Sequence, residues 1–182
     1  MMLFKSEIAQ KVLGYFFLNP QEQLYTNEIA KSLNLDKRNL VKKLKEFEKD
    51  GLLKKTARGN MKLYSINDKF PLYNEYRKII LTTSGVEVSL RKILAAFPGV
   101  SEAYIYGSYA RNAMDAHSDI DLVVIGSHSL LALQRKLTAL QKTLGREINA
   151  VNMDTNEFKE KKESNDPFIT GILRGKNLRV YP

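Results

Sequence analysis

The chain has 182 residues, 43% of them hydrophobic and 27% charged, an ordinary balance for a globular protein with room for one large domain or two small ones. It has no cysteine and only two histidines, His117 and His128, which excludes disulfides, thiolate metal sites and a histidine-based zinc site. The net charge of +9 is uneven: residues 1–83 hold 16 Lys/Arg against 9 Asp/Glu, while residues 84–182 hold 13 against 11, so the first half predicts a polyanionic partner.

The opening "MMLFKSEIAQKVLGYFF" lacks the long apolar core and small-residue cleavage site of a signal peptide. No window is apolar enough to span a membrane, so the expected location is cytoplasmic, with no membrane partner. From Ser6 to Leu18, Ile8, Ala9, Val12, Leu13, Phe16 and Phe17 recur at helical spacing. Asn19-Pro20 should end that helix, because a residue before proline is pushed out of the helical region. "TNEIAKSL" predicts a short helix capped by Thr26, with Ile29, Ala30 and Leu33 on its apolar face. Asp36 should cap a second, whose apolar face is Leu40, Val41, Leu44 and Phe47 and whose end is Gly51. "LLKKTA" and "MKLYSI" around the turn "RGN" predict a hairpin.

Three helices followed by a hairpin resemble the winged helix-turn-helix DNA-binding domains of prokaryotic regulators, over about the first 68 residues. The resemblance implies that the second helix of the pair enters the major groove of duplex DNA. Its outward side chains are Lys37, Arg38, Asn39, Lys42 and Lys43; Arg and Lys suit guanine edges and Asn suits adenine. Lys54, Lys55, Arg58 and Lys62 on the hairpin would meet phosphates or a minor groove.

Residues 70–97 predict two amphipathic helical stretches interrupted by Thr82-Thr83-Ser84-Gly85. The domain boundary is placed there, giving residues 1–83 and 84–182. Tyr73, Tyr76, Ile79 and Ile80 suit a linker helix or a homodimer contact.

Val100 to Tyr106 predicts a strand, Gly107-Ser108 a turn, Tyr109 to Met114 a short helix, and Asp119 to Ile125 a strand buried on much of both faces. Residues two apart in a strand share a face, about 6.6–6.8 Å along it. Asp119 and Asp121 therefore lie together, and two like charges so placed repel unless a cation joins them. Hard oxygen ligands without cysteine point to Mg²⁺ or Mn²⁺. Gly107 permits close backbone approach, and Ser108 before a helix start suits a phosphate. Arg111 can pair with that phosphate or with a carboxylate of its own fold. His117 reads as a solvated loop residue, Ser118 as a turn cap, and His128 as the start of a helix without visible chemistry. A helix over Leu130–Leu144, a strand in "REINAV", helices from Asp154 and at "DPF", and a last strand in "NLRVY" complete a mixed α/β sheet.

Gly107-Ser108, ten intervening residues and Asp119-Ile120-Asp121 resemble the GS…DxD signature of polymerase-beta-type nucleotidyltransferases, and "GSYARNAMDAHSDIDLVV" resembles their minimal prokaryotic members. The resemblance implies an α+β, two-domain chain: a winged helix-turn-helix, then a nucleotidyltransferase-like mixed sheet. It implies that Gly107, Ser108 and Arg111 hold the nucleotide. It also implies that Asp119 and Asp121 bind the divalent ions that steer a nucleoside triphosphate for attack at its alpha phosphate. Catalytic relatives carry a third carboxylate on the later strand, where this chain has Asn149, with Glu147 two residues away. Three functions follow: a nucleotidyltransferase acting on a protein, nucleic acid or small molecule; a DNA-binding transcriptional regulator with an inactive, nucleotide-sensing domain; or an antitoxin of a toxin–antitoxin pair.

Overall fold

A computed structural model describes residues 6–59, 61–115 and 118–182. The chain divides into two compact units, Met1–Val86 with Thr143–Gly145, and Glu87–Lys142 with Arg146–Pro182. Helix α1 spans Glu7–Leu18 and buries Ala9, Val12, Leu13, Phe16, Phe17 and Leu18, the face that the spacing predicts. It stops at Asn19, whose N–H still bonds Tyr15 O at 2.9 Å. A two-residue strand β1 (Leu24–Tyr25), too short to leave a periodic signal, leads into α2 (Thr26–Ser32). Thr26, expected as the cap, is the first helical residue. The cap position is Tyr25, whose backbone N–H donates to Glu28 Oε2 at 2.7 Å.

Helix α3 (Lys37–Lys49) is capped as expected, Asp36 accepting from the Asn39 N–H at 2.9 Å, and it buries Leu40, Leu44 and Phe47. Gly51, at φ +76°, ends it in the left-handed conformation that other residues adopt at a cost. Strands β2 (Leu53–Arg58) and β3 (Met61–Ile66) form the hairpin, and β1 adds to β3, giving the sheet order β1-β3-β2. Asn60, the last residue of the expected turn, lies outside the described residues. Helix α4 (Tyr73–Ser84) packs on α1: the Tyr73 and Phe17 rings are 5.4 Å apart, and Arg77 Nε donates to Phe17 O at 3.3 Å. The boundary expected after residue 83 falls in the last turn of α4, because Thr83 and Ser84 bond back to Ile79 and Ile80 carbonyls and prolong the helix to Gly85.

The chain continues with α5 (Val86–Leu94), β4 (Val100–Tyr106), α6 (Gly107–Ala110), β5 (Ile120–Gly126), α7 (Leu130–Leu144), β6 (Ile148–Met153), α8 (Thr155–Glu163), α9 (Pro167–Arg174) and β7 (Leu178–Tyr181), which belong to the second unit apart from Val86, Thr143 and Leu144. The sheet order is β6-β5-β4-β7, with β5 and β6 parallel and the other pairs antiparallel. Central β5 is buried at Ile120, Leu122, Val123, Val124 and Ile125, so its apolar run is broken only by Asp121. Full burial of each such side chain contributes about 1.5–3 kcal/mol. On the Asp121 face, Val123 and Ile125 meet Met153, Phe158 of α8 and Ile169 and Ile172 of α9, with Tyr104 and Tyr106 packed against them. Asp154 caps α8, accepting from the Asn156 and Glu157 N–H groups, and Asp166 caps α9, accepting from those of Phe168 and Ile169.

Two bounds differ from expectation. The short helix is Gly107–Ala110 rather than 109–114, since Asn112 turns left-handed at φ +54° and the Ala113 N–H bonds back to Ser108 O at 2.9 Å. Strand β5 begins at Ile120, one residue after Asp119. Among the described residues no helix is long and apolar enough to cross a membrane.

Candidate functional site

Strand β4 ends at Tyr106, and the chain turns at Gly107 with φ +70°. A Cβ at Gly107 would stand 2.0 Å from Asp121 Oδ2, so the Asp121 carboxylate lies directly on this glycine. Two needs coincide there: a left-handed backbone and no side chain. Ser108 follows, half-buried in the one turn of α6, and Arg111 is exposed just after it.

Asp119 is held from several sides. The Ser118 hydroxyl donates to Asp115 Oδ1 and accepts from the Asp115 N–H, both at 2.9 Å, so Ser118 closes the preceding turn. The Ser118 carbonyl accepts from Arg146 Nη1 at 3.1 Å, and the Ile120 N–H donates to Glu147 O at 2.9 Å. Arg146 carries no sequence pattern that marks it for this task. His117 lies outside the described residues. His128 is buried and its Nε2 is 2.8 Å from Asn152 Oδ1, away from the aspartates.

Asp121 sits between Tyr106 of β4 and Asn149 of β6 in the sheet register. Asn149 Nδ2 donates to Asp119 Oδ2 at 3.1 Å. The later-strand position singled out in the sequence therefore faces the aspartates, with an amide in place of an acid. Glu147 precedes β6, and its exposed side chain is not part of this cluster, whereas its carbonyl anchors β5. Burial and the neighbouring Asp119 charge push the Asp121 pKa above the usual carboxylate range, and Arg111 opposes them. Burial, then the Asp121 charge, also raises the Tyr106 phenol. Tyr106 escaped the sequence reading because only its register position beside Asp121 marks it.

Among the described residues no group of three His, Cys, Asp or Glu could hold a metal ion. Asp119 and Asp121 bring two carboxylates together, and a cation would relieve the Asp119 repulsion that, after burial, raises Asp121. That donor chemistry fits Mg²⁺ or Mn²⁺ provided further oxygens come from a phosphate chain and water.

The basic surface of the first unit divides into two groups. Lys37, Arg38, Asn39 and Lys42 are exposed along α3, and Arg58 and Lys62 are exposed on the hairpin. Lys43 instead pairs with Glu46 and lies 5.9 Å from the Phe47 ring centroid. Lys54 pairs with Asp68, and Lys55 with Glu48.

Residues 88–172, which contain the Gly107 turn, both aspartates and Asn149, match the family model described as the nucleotidyltransferase domain, so this region is nucleotidyltransferase-like. A protein of Methanocaldococcus jannaschii, provisionally named a protein adenylyltransferase, is 41% identical over 59 residues, which are 31% of this chain and 63% of that protein. The chain thus spans less than two thirds of that relative. Two solved structures are similar: a toxin–antitoxin with AMP-PNP (18% identity, TM-score 0.37, 52% of this chain and 72% of that one) and a mutant of the toxin–antitoxin MntA-HpeT (16%, 0.39, 53% and 73%).

Proposed function

We propose that the second unit binds a nucleoside triphosphate with a divalent cation at Gly107, Ser108, Asp119 and Asp121, as a nucleotidyltransferase-type site with weak transfer. The observation that carries this reading is the Asp121 carboxylate seated on Gly107 with Asp119 beside it, inside the matched region. Ser108 and the N–H groups of the turn would hold phosphate oxygens, and exposed Arg111 would reach a terminal phosphate. Asp119 and Asp121 would hold Mg²⁺ or Mn²⁺, which when bound neutralises charge on the phosphates and polarises the alpha phosphorus. Asn149 keeps Asp119 oriented through its amide but cannot accept a proton, so an acceptor hydroxyl lacks a base there. The partial relative's name favours a protein as acceptor and an adenylyl group as cargo.

The first unit is read as a winged helix whose α3 enters the major groove of duplex DNA, using Lys37, Arg38, Asn39 and Lys42, with Arg58 on the hairpin reaching phosphate. The Asn149–Asp119 bond also supports a second reading, a DNA-binding regulator whose nucleotide site senses without transferring. Incubation with ATP, GTP, CTP or UTP labelled at the alpha phosphate, with Mg²⁺ or Mn²⁺ and cell protein, separates the two. Covalent label that disappears in Asp121→Ala supports the enzyme; nucleotide binding without label supports the sensor; no binding at all removes both.

A further inference from the structure

Helix α9 fixes itself to the sheet through Ile169 and Ile172, yet Phe168 between its cap and that anchor stays 38% exposed. A single exposed ring is common on a protein surface, but one beside a polar site can receive the apolar part of a ligand held there. Phe168 adjoins one. Its ring centroid is 5.6 Å from that of Tyr106, at 87°. Tyr106 is the cross-strand partner of Asp121 and immediately precedes Gly107. Val151, two residues beyond Asn149 on the same face of β6, is likewise 38% exposed. Val151 lies across β5 from Tyr106, beside buried Val123, so β4 and α9 are the elements that bring aromatic rings together on the Asp121 side. The other exposed large apolar residues, Met61, Leu72, Leu130 and Leu131, lie on other elements.

Resting on the nucleotide-site reading above, we propose that the Phe168 ring, braced edge-on by Tyr106, forms a stacking shelf for a purine base, with the phosphates at Ser108, Asp119 and Asp121. Aromatic rings accept any base by stacking, and the larger purine gains more contact than a pyrimidine. A stack on an aromatic face does not by itself separate adenine from guanine, so ATP and GTP should bind alike.

The test is calorimetry on the full chain with Mg²⁺, titrating ATP, GTP, CTP, UTP and inorganic tripolyphosphate. The wild type should bind ATP and GTP more tightly than CTP, UTP and tripolyphosphate. Phe168→Ala should weaken ATP and GTP by about tenfold to a hundredfold, the range of a lost base–aromatic stack, while tripolyphosphate affinity is unchanged. Phe168→Tyr, which keeps a ring, should bind ATP as the wild type does. Equal ATP affinity in the wild type and Phe168→Ala overturns the shelf. So does a Phe168→Ala protein that loses tripolyphosphate and ATP in parallel, or one whose only change is the oligomeric state in sedimentation. A wild type that binds neither ATP nor tripolyphosphate fails earlier, because it removes the phosphate site on which the shelf depends.

Discussion

Helix α3 with its hairpin and the head of strand β5 each gather like charges, and they resolve the repulsion differently. In the first unit Lys43, Lys54 and Lys55 have carboxylate partners at the surface. Such solvent-screened pairs contribute little to stability, but they remove cations from the surface available to a polyanion. At β5 the ion pairs found among the described residues include neither aspartate. Asp119 has the neutral amide of Asn149, while burial first and then the Asp119 charge raise the Asp121 pKa. A count of charges thus overstates the basic face, while a near-neutral second half conceals a concentrated negative charge.

The largest expected effect tests what the amide at β6 costs. Asn149→Asp should raise transfer of labelled nucleotide by ~10²–10⁴-fold, the usual gain from a positioned base, whereas Glu147→Gln should leave it unchanged. A large loss in Glu147→Gln would show that the acid before β6 swings into the site after all.

The next tests the seat of Asp121. Gly107→Ala places a Cβ 2.0 Å from Asp121 Oδ2 and puts an alanine at φ +70°. The backbone strain alone costs about 1–3 kcal/mol, readable by urea unfolding, and the displaced carboxylate should abolish Mg²⁺-dependent nucleotide binding. Unaltered binding by that variant would mean that the contact is dispensable.

On the basic face, the ion pairs rank the cations. Arg38→Ala with Lys42→Ala should flatten the log–log salt dependence of duplex DNA binding by about 1.8 if each contacts one phosphate, a larger change than Lys54→Ala with Lys55→Ala. Equal losses in the two double variants would show that surface pairing does not matter to the polyanion.

The smallest effect is on stability against pH. The folded pKa of Asp121 is raised, so its ionisation opposes folding. The associated stability is fully present below the ordinary carboxylate pKa and is lost as pH rises through the raised folded value. Asp121→Asn should therefore be more stable than the ligand-free wild type at neutral pH, and the advantage should vanish on acidification. Denaturant midpoints at neutral and acidic pH measure it; an advantage that persists in acid would assign the gain to packing rather than charge.

Much of this architecture was legible because its signals are local. The Asp36 cap, the helix starts at Asp154 and "DPF", the Asn19-Pro20 stop and the apolar run of β5 each declare themselves within a few residues. The Gly107-Ser108 and Asp119/Asp121 pattern located the candidate site for the same reason. What was not legible depends on register or on distant groups. Strand β1 exists because β3 offers it an edge. Tyr106 meets Asp121 only through sheet pairing, and Phe168 meets Tyr106 only through the docking of α9. The Arg146 bond to the Ser118 carbonyl joins residues 28 apart, and no periodicity announces it. The surface pairs of Lys54 and Lys55 likewise needed a folded hairpin to bring Asp68 and Glu48 within reach.

In the proposed function, Asp119 and Asp121, seated at Gly107, make a cation-dependent triphosphate site. Calorimetric titration of ATP into the full chain, with Mg²⁺ and then with the metal chelated, tests it most directly when repeated on Asp121→Ala. Binding should be tight with Mg²⁺ and markedly weaker without it, and the Asp121→Ala protein should be indifferent to the metal. Wild-type affinity unchanged by removal of Mg²⁺ would contradict it.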